Sequence, residues 1–331
     1  MQVKPAVSQV NPSFSQVNCQ NGLKAGAEAT QKEKGATKVM RFDEAYSGNV
    51  FILSKQDYDN ADAVLYGMPM DWTVSFRPGS RFGPARIREV SLGLEEYSPY
   101  ADKHLEEVNY FDAGDIPLPF GNPQRSLDLI EEYVATLLDA GKFPLGMGGE
   151  HLVSWPIFKA LKNKYDDFAI IHIDAHADLR EQYEGEPLSH STPIRKACGL
   201  IGAENVYSFG IRSGMREEFQ FAKESGMHMH KFDVAEPLKK VLPELAGRNV
   251  YVTIDIDVLD PAHAPGTGTA EAGGITSKEL LEAIHLISES DINVIGADLV
   301  EVAPIYDPSE QTPIAASKFL REILLGWVSK K

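Results

Sequence analysis

The sequence predicts an α/β domain built on a parallel sheet with helices on both faces. Three observations carry that expectation. Short apolar runs alternate with amphipathic helical stretches from about residue 62 onward, the pattern of repeated strand–crossover–strand units. The runs are apolar almost without interruption, as Phe168-Ala169-Ile170-Ile171 illustrates, which is how strands buried on both faces read. No internal repeat or linker divides the alternation, and 331 residues suffice to bury one large core, so a single domain over 40–331 is expected.

The elements follow in order. Ala63-Val64-Leu65-Tyr66-Gly67 is a strand, followed by a loop punctuated by Gly and Pro, Arg77-Pro78-Gly79-Ser80-Arg81-Phe82-Gly83-Pro84. Asn122-Pro123 has the form of an N-cap with proline at the first helical position. Leu127, Ile130, Val134, Leu137 and Leu138 then mark one helical face, which Gly141 ends. Phe143 to Met147 is a strand that runs into Gly148-Gly149-Glu150-His151, and residues 168–173 form the next. A helix near 193–201, a strand from Val206 to Ile211 and a helix from Arg216 to Glu224 come after it. Val250 to Ile256 is a strong strand. Thr276-Ser277-Lys278-Glu279 is a capping box leading into Leu280, Ile284 and Ile287. Asn293 to Val302 is a further strand, and a helix fills roughly 311–328.

Residues 1–39 differ from this pattern. They are rich in Gln, Asn, Ser, Ala and Lys, with apolar residues too scattered to make a face, and are expected to be a disordered extension. They carry five lysines and no arginine, which argues against a mitochondrial presequence. No run approaches a membrane span, the N-terminus lacks the apolar core of a secretory signal, and the two cysteines form no C-x-x-C pair. A cytoplasmic protein is expected. The net charge of −16 argues against binding nucleic acid and suits a small cationic substrate.

In sheets of this class ligands bind beyond the carboxyl ends of the strands. His151 follows the strand at 143–147, and Asp174, His176 and Asp178 follow 168–173 at alternate positions, which an extended chain turns to one side. Asp255 and Asp257 end the strand at 250–254, and Glu301 follows 293–299. Alone, His151 reads as a helix-start histidine, Asp174-x-His176-x-Asp178 as a polar loop with capping aspartates, and Asp255-x-Asp257 as turn chemistry. Together they bring two histidines and four aspartates to one edge of the sheet. Burying four carboxylates without cations is prohibitively repulsive, and two divalent ions balance their charge. The mixed nitrogen and oxygen donors suit Mn²⁺. Two neighbouring cations hold and acidify a bridging water, so hydrolysis at a planar, electrophilic carbon is implied.

These residues lie in three motifs: Gly-Gly-Glu-His at 148–151, Asp-Ala-His-Ala-Asp at 174–178, and Asp-Ile-Asp-Val-Leu-Asp-Pro at 255–261. The motifs resemble, in order, the three signatures of the ureohydrolases, the family of arginases and agmatinases. The resemblance runs from about Met40 to the C-terminus. It implies a three-layer α/β/α sandwich around a mostly parallel eight-stranded sheet, two Mn²⁺ per subunit, and a homo-oligomer, trimer or hexamer. It also implies that His151, Asp174, Asp178 and Asp255 hold one manganese while Asp174, His176, Asp255 and Asp257 hold the other. Glu301 resembles the glutamate that binds the substrate guanidinium, a role suited to bidentate pairing with a carboxylate. His190, in Leu188-Ser189-His190-Ser191-Thr192, matches the histidine at the active-site mouth, a proposed proton shuttle, although a helix-cap role fits this loop too. Asp178 is implied as the group that takes the proton from the attacking hydroxide.

The substrate is the open point. Arginases place an Asn two residues after the last aspartate of the second motif, to hold the substrate carboxylate; this chain has Arg180 there. Arg180 itself keeps a carboxylate-bearing substrate such as guanidinobutyrate or formiminoglutamate in play. The stretches at 72–84 and 260–268 are most similar to those of bacterial-type agmatinases, which implies hydrolysis of agmatine to putrescine and urea and a place in polyamine biosynthesis. Arginase activity, a single-zinc amide deacetylase and a non-catalytic relative are the rivals. The deacetylase would leave His151, Asp178 and Asp257 without work, and a non-catalytic relative would be expected to have lost a ligand.

Overall fold

The computed structural model describes residues 50–55 and 57–328. The extension expected at 1–39 lies outside the described residues. Eight strands form one sheet: β1 (Ala63–Met68), β2 (Tyr110–Asp115), β3 (Phe143–Gly148), β4 (Ala169–Ile173), β5 (Val206–Ile211), β6 (His228–Lys231), β7 (Asn249–Asp255) and β8 (Asn293–Val300). Their spatial order is β2-β1-β3-β8-β7-β4-β5-β6, and neighbouring strands pair in parallel throughout. The expected eight-stranded α/β sheet is the one found.

Period-two alternation divides each strand between two cores. In β1, Ala63 and Leu65 face one apolar cluster, whereas Val64, Tyr66 and Met68 face the other. The first cluster is closed by α1 (Gly83–Ser91), α6 (Ala235–Val241), α7 (Ser277–Glu289) and α8 (Gln311–Ile323), through residues such as Ile87, Leu238, Ile284 and Phe319. The second is closed by α2 (Pro123–Asp139), α3 (Ser154–Lys164), α4 (Pro193–Ile201) and α5 (Arg216–Ser225), through Val134, Phe158, Ile194 and Ala222. Three layers result, as a parallel sheet requires.

The expected caps are in place. The Asn122 side chain accepts from the Arg125 amide at 3.1 Å, and Thr276 and Glu279 exchange the reciprocal hydrogen bonds of a capping box at 3.2 and 2.7 Å. Strands β2 and β6 and helices α1, α3 and α6 were not legible in the sequence. Strand β2 reads Tyr-Phe-Asp-Ala-Gly-Asp and β6 reads His-Met-His-Lys. Both are the edge strands of the sheet, where burial on two faces is not demanded and polar residues interrupt the apolar run. The strand expected to reach Val302 ends instead at Val300, because Glu301 turns the chain out of the sheet with φ +64°.

Strands β3, β8, β7 and β4 are consecutive neighbours at the centre of the sheet. All four run in one direction, so the segments that follow them emerge side by side.

Candidate metal centre

The turn after β3 depends on its two glycines. A Cβ on Gly149 would lie 1.9 Å from the carbonyl oxygen of Met70, and one on Gly148 would lie 2.5 Å from Val300 Cγ1. That close approach lets the Gly149 amide donate to Met68 at 2.9 Å while its carbonyl accepts from the Glu301 amide at 2.9 Å. His151 is thereby delivered to the sheet edge, where its own amide donates to Glu301 Oε1 at 2.9 Å.

The segment after β4 stays extended alongside the chain leaving β5. Ala175 accepts from the amides of Arg212 and Ser213, and the Ala177 amide donates to Ser213. Asp174, His176 and Asp178 therefore keep their alternation until Asp178, whose φ of +50° breaks it. Asp178 and Glu301 are both non-glycine residues in the left-handed region, a conformation that costs free energy and gathers at functional sites. After β7 a single helical turn follows, in which Asp255 Oδ1 accepts from the Asp257 amide at 2.8 Å. Arg212 fixes this turn from beneath, donating to the carbonyls of Asp257 at 2.7 Å, Val258 at 3.1 Å and Glu271 at 2.7 Å.

Two donor clusters result. His151 Nδ1 lies 3.0 Å from Asp174 Oδ2, 3.3 Å from Asp178 Oδ2 and 3.3 Å from Asp255 Oδ2. His176 Nδ1 lies 2.9 Å from Asp257 Oδ2 and 3.7 Å from Asp174 Oδ1. Asp174 thus offers one oxygen to each cluster. The contacts of Asp255 are with the first cluster and with the Asp257 amide. All six residues expected as ligands are brought together, along with Glu301, and His190 lies on the wall of the same cavity of about 300 Å³.

The donor set fits divalent cations on three counts. Donors at right angles about a cation with bonds of about 2.2 Å stand about 3.1 Å apart, which matches the spacings around His151 Nδ1. That nitrogen is buried without a hydrogen-bond partner of proper geometry, as a donor atom facing a cation would be. Electrostatics is the third count. Burial and the neighbouring carboxylates push the Asp178 and Asp255 carboxyls well above the usual range. Burial would do the same to Asp174, but His172 and His151 outweigh it and hold that carboxyl well below. Two unit charges 4 Å apart at an effective dielectric of about 20 interact by roughly 4 kcal/mol. Four carboxylates this close are therefore far from comfortable unless cations accompany them.

The surrounding groups set the substrate side. Burial raises the Glu301 carboxyl to about 7, and a guanidinium seated against it would return it to the ionised form. Burial lowers His190 to about 4, helped by His176 and His151, so its imidazole is neutral at physiological pH. His190 Nε2 is 3.0 Å from Ser75 Oγ, and its amide donates to Thr73 Oγ1 at 2.9 Å. The 72–84 loop is thus one wall of the site. Arg77 pins it by donating to the carbonyls of Thr267 at 2.7 Å and Gly268 at 3.1 Å.

A model of the arginase family matches residues 61–326. The chain belongs to the arginase family. It is 79% identical over 289 residues to an agmatinase of Bacillus anthracis, an alignment covering 87% of this chain and 100% of that one. It is 75% identical to an agmatinase of Bacillus subtilis strain 168, with the same coverage of 87% and 100%. Its fold is similar to the crystal structure of the agmatine ureohydrolase of Thermoplasma volcanium, with a TM-score of 0.78 and 31% identity, covering 85% of this chain and 94% of that one.

Several residues of this arginase-family site escaped the sequence reading. His172 stands with His151 and Asp174 as a possible ligand group, but both its ring nitrogens are already engaged, Nε2 with Asp174 Oδ2 and Nδ1 with Ser208 Oγ, each at 2.8 Å. Those contacts place it to orient Asp174. Its parity in β4, two before Asp174, was the signal available. Glu150 is fully buried, accepts from the Thr73 amide at 2.8 Å, and is pushed up to about 8 by burial. Glu218 is buried under the cavity wall and accepts from the amides of Leu179 at 2.8 Å and Met215 at 2.7 Å. Nothing in the local sequence distinguishes Glu218 from an exposed helix-start glutamate.

Proposed function

We propose that this chain hydrolyses agmatine to putrescine and urea, using two Mn²⁺ per subunit. His151, Asp174, Asp178 and Asp255 hold one, and Asp174, His176, Asp255 and Asp257 hold the other. Identity of 75–79% with agmatinases over 87% of the chain carries the choice of substrate. The catalytic unit is 40–331, preceded by the extension at 1–39.

The divalent cations, when bound, supply charge that offsets the carboxylates and a water acidified toward neutral pH. Glu301 seats the guanidinium by a charge-assisted pair, and the hydrogen bond its backbone amide donates to the Gly149 carbonyl keeps that carboxylate in register with His151. Asp178, raised by burial beside Asp174, is suited to take a proton as water adds to the guanidinium carbon. The carbon–nitrogen bond to the butyl chain then breaks. Both protons of the added water end on the departing nitrogen, one returned by Asp178 and one relayed by the neutral His190 at the mouth, so putrescine leaves protonated and urea neutral. Exchanging His190 for Asn is expected to lower kcat by on the order of 10²-fold while leaving bound metal unchanged, which single-turnover urea release with metal analysis reads together.

Arg180 is the argument for a carboxylate-bearing substrate, since it lines the cavity. Its guanidinium, however, has Glu218 Oε2 3.8 Å from Nε and the Tyr183 ring centroid 5.0 Å away. Glu218 offsets part of the Arg180 charge, and the choice of a dicationic substrate rests on the identity with agmatinases. Side-by-side kinetics on agmatine, arginine and guanidinobutyrate test the choice. Agmatine is expected to have the highest kcat/KM, and faster turnover of either acid would contradict it.

We place the enzyme in the cytoplasm, where the free thiol of Cys198 is stable. Among the described residues no helix is long and apolar enough to cross a membrane. Phe76 and Phe120 are 72% and 84% exposed, which supports burial between subunits of a trimer or hexamer, to be read by sedimentation velocity.

A further inference from the structure

Beneath the ligands a polar row crosses the sheet. Parallel registry aligns Gly146, Asp298, Thr253, His172 and Ser208 on strands β3, β8, β7, β4 and β5. The four with polar side chains have no exposure at all. Neither Asp298 nor Thr253 touches the cavity, and no step of the hydrolysis uses them. Buried polar groups in mid-sheet are costly unless paired, so what they pair with is informative.

Thr253 Oγ1 lies 2.6 Å from Asp298 Oδ1 and 2.9 Å from His151 Nε2. The other Asp298 oxygen, Oδ2, accepts from the Tyr251 hydroxyl at 2.7 Å. Proton counting gives each bond its direction. Asp298 accepts at both oxygens, the arrangement of an ionised carboxylate, and a threonine hydroxyl has one proton to give; Ser154 Oγ, at 3.4 Å, is the more distant neighbour of that hydroxyl. The short contact to Asp298 takes that proton. Thr253 therefore meets His151 with a lone pair, so Nε2 is the ring nitrogen that carries hydrogen. Nδ1, aimed at Asp174, Asp178 and Asp255, is then the nitrogen left to give its lone pair to a cation. That is the tautomer a cation needs.

We propose that Asp298, acting through Thr253, fixes the tautomer of His151 and is a positioning residue for the cation that His151 holds. The inference rests on the reading of the site as a divalent-cation centre. An amide at 298 would be neutral and able to donate, so Thr253 could turn its proton onto Nε2 and leave the imidazole hydrogen on Nδ1, facing the cation. The effect belongs to one cluster only, because His176 has no part in the relay. A purely structural role for Asp298 would lower stability without distinguishing the two clusters.

The test is Mn²⁺ titration calorimetry on the metal-stripped full chain and its variants. Asp298→Asn and Thr253→Val are expected to weaken one of two sites by roughly 10–100-fold, the range for outer-shell partners, and to leave the other unchanged. Thr253→Ser, which keeps the hydroxyl, should retain both affinities. The Mn²⁺ concentration for half-maximal urea release should shift by the same factor in the first two variants, with kcat recovered at saturating Mn²⁺. Unaltered isotherms in Asp298→Asn, or equal weakening in the Val and Ser variants, would overturn the proposal. Should Asp298→Asn not fold, the Thr253 pair decides alone. A wild-type chain that takes up no Mn²⁺ would instead overturn the reading of the site and the relay with it.

Discussion

Replacing Asp255 with Asn is expected to abolish urea release and to raise the melting temperature of the metal-free protein. Both effects have one cause. Burial first, and then Asp257 and Asp174 beside it, push the Asp255 carboxyl well above the ordinary range. Held ionised at neutral pH without cations, it destabilises the fold; held ionised with cations, it would serve as a ligand. The sign follows from linkage. A carboxyl raised in the folded state binds protons more tightly there than in the unfolded chain, so stability declines as pH rises above about 4 toward the folded value. The metal-free wild type should accordingly gain stability from this group on mild acidification, and Asp255→Asn should remove that part of the pH dependence. At ~2 °C per kcal/mol of relieved repulsion, a shift of a few degrees is expected by calorimetry. Activity should fall by on the order of 10³-fold or more, beyond the 10–100-fold typical of groups one shell out. A variant that lost activity but melted lower without metal would refute the electrostatic account of the cluster.

Glu301→Gln should give the second largest effect, with a different signature. Its amide would keep the size of the side chain and one oxygen for the His151 amide, now 2.9 Å from Oε1, so the sheet edge should persist. What is lost is the negative charge opposite the guanidinium. Removing one partner of a buried charge pair costs about 2–5 kcal/mol, so kcat/KM for agmatine should fall on the order of 10²–10³-fold. Bound manganese should stay at the wild-type level, because Glu301 is not counted among its ligands. Loss of metal in this variant would show that Glu301 is part of the cation site rather than the substrate site.

Much of this was legible in the sequence because the sheet is parallel and buried. Predominantly apolar runs located β1, β3, β4, β5, β7 and β8, and Asn122 and Thr276 announced their helices through side chains that satisfy the first-turn amides. The edge strands β2 and β6 were hidden by their polar residues, and α3 by the histidine turn that precedes it. Every residue expected as a ligand arrives at the central strand ends, because a strand end in a parallel sheet is a fixed address. The supporting layer was hidden for the opposite reason. Asp298 and Thr253 are single polar residues inside apolar strands, and their meaning depends on which strands are neighbours. That order, β3-β8-β7-β4, is set by long-range packing and has no local signature. Glu218 opposite Arg180 is a contact of the same kind: two residues far apart in sequence, joined only once α5 folds back over the cavity.

We propose that two divalent cations, held by six residues from three strand ends, make this chain an agmatine hydrolase. Mn²⁺ titration of metal-stripped protein, with bound metal and urea release from agmatine followed together, tests it most directly. The account predicts no turnover without metal and activity that rises to a plateau as occupancy reaches two ions per chain. A plateau at one ion per chain, or urea release undiminished after metal is removed, would contradict it.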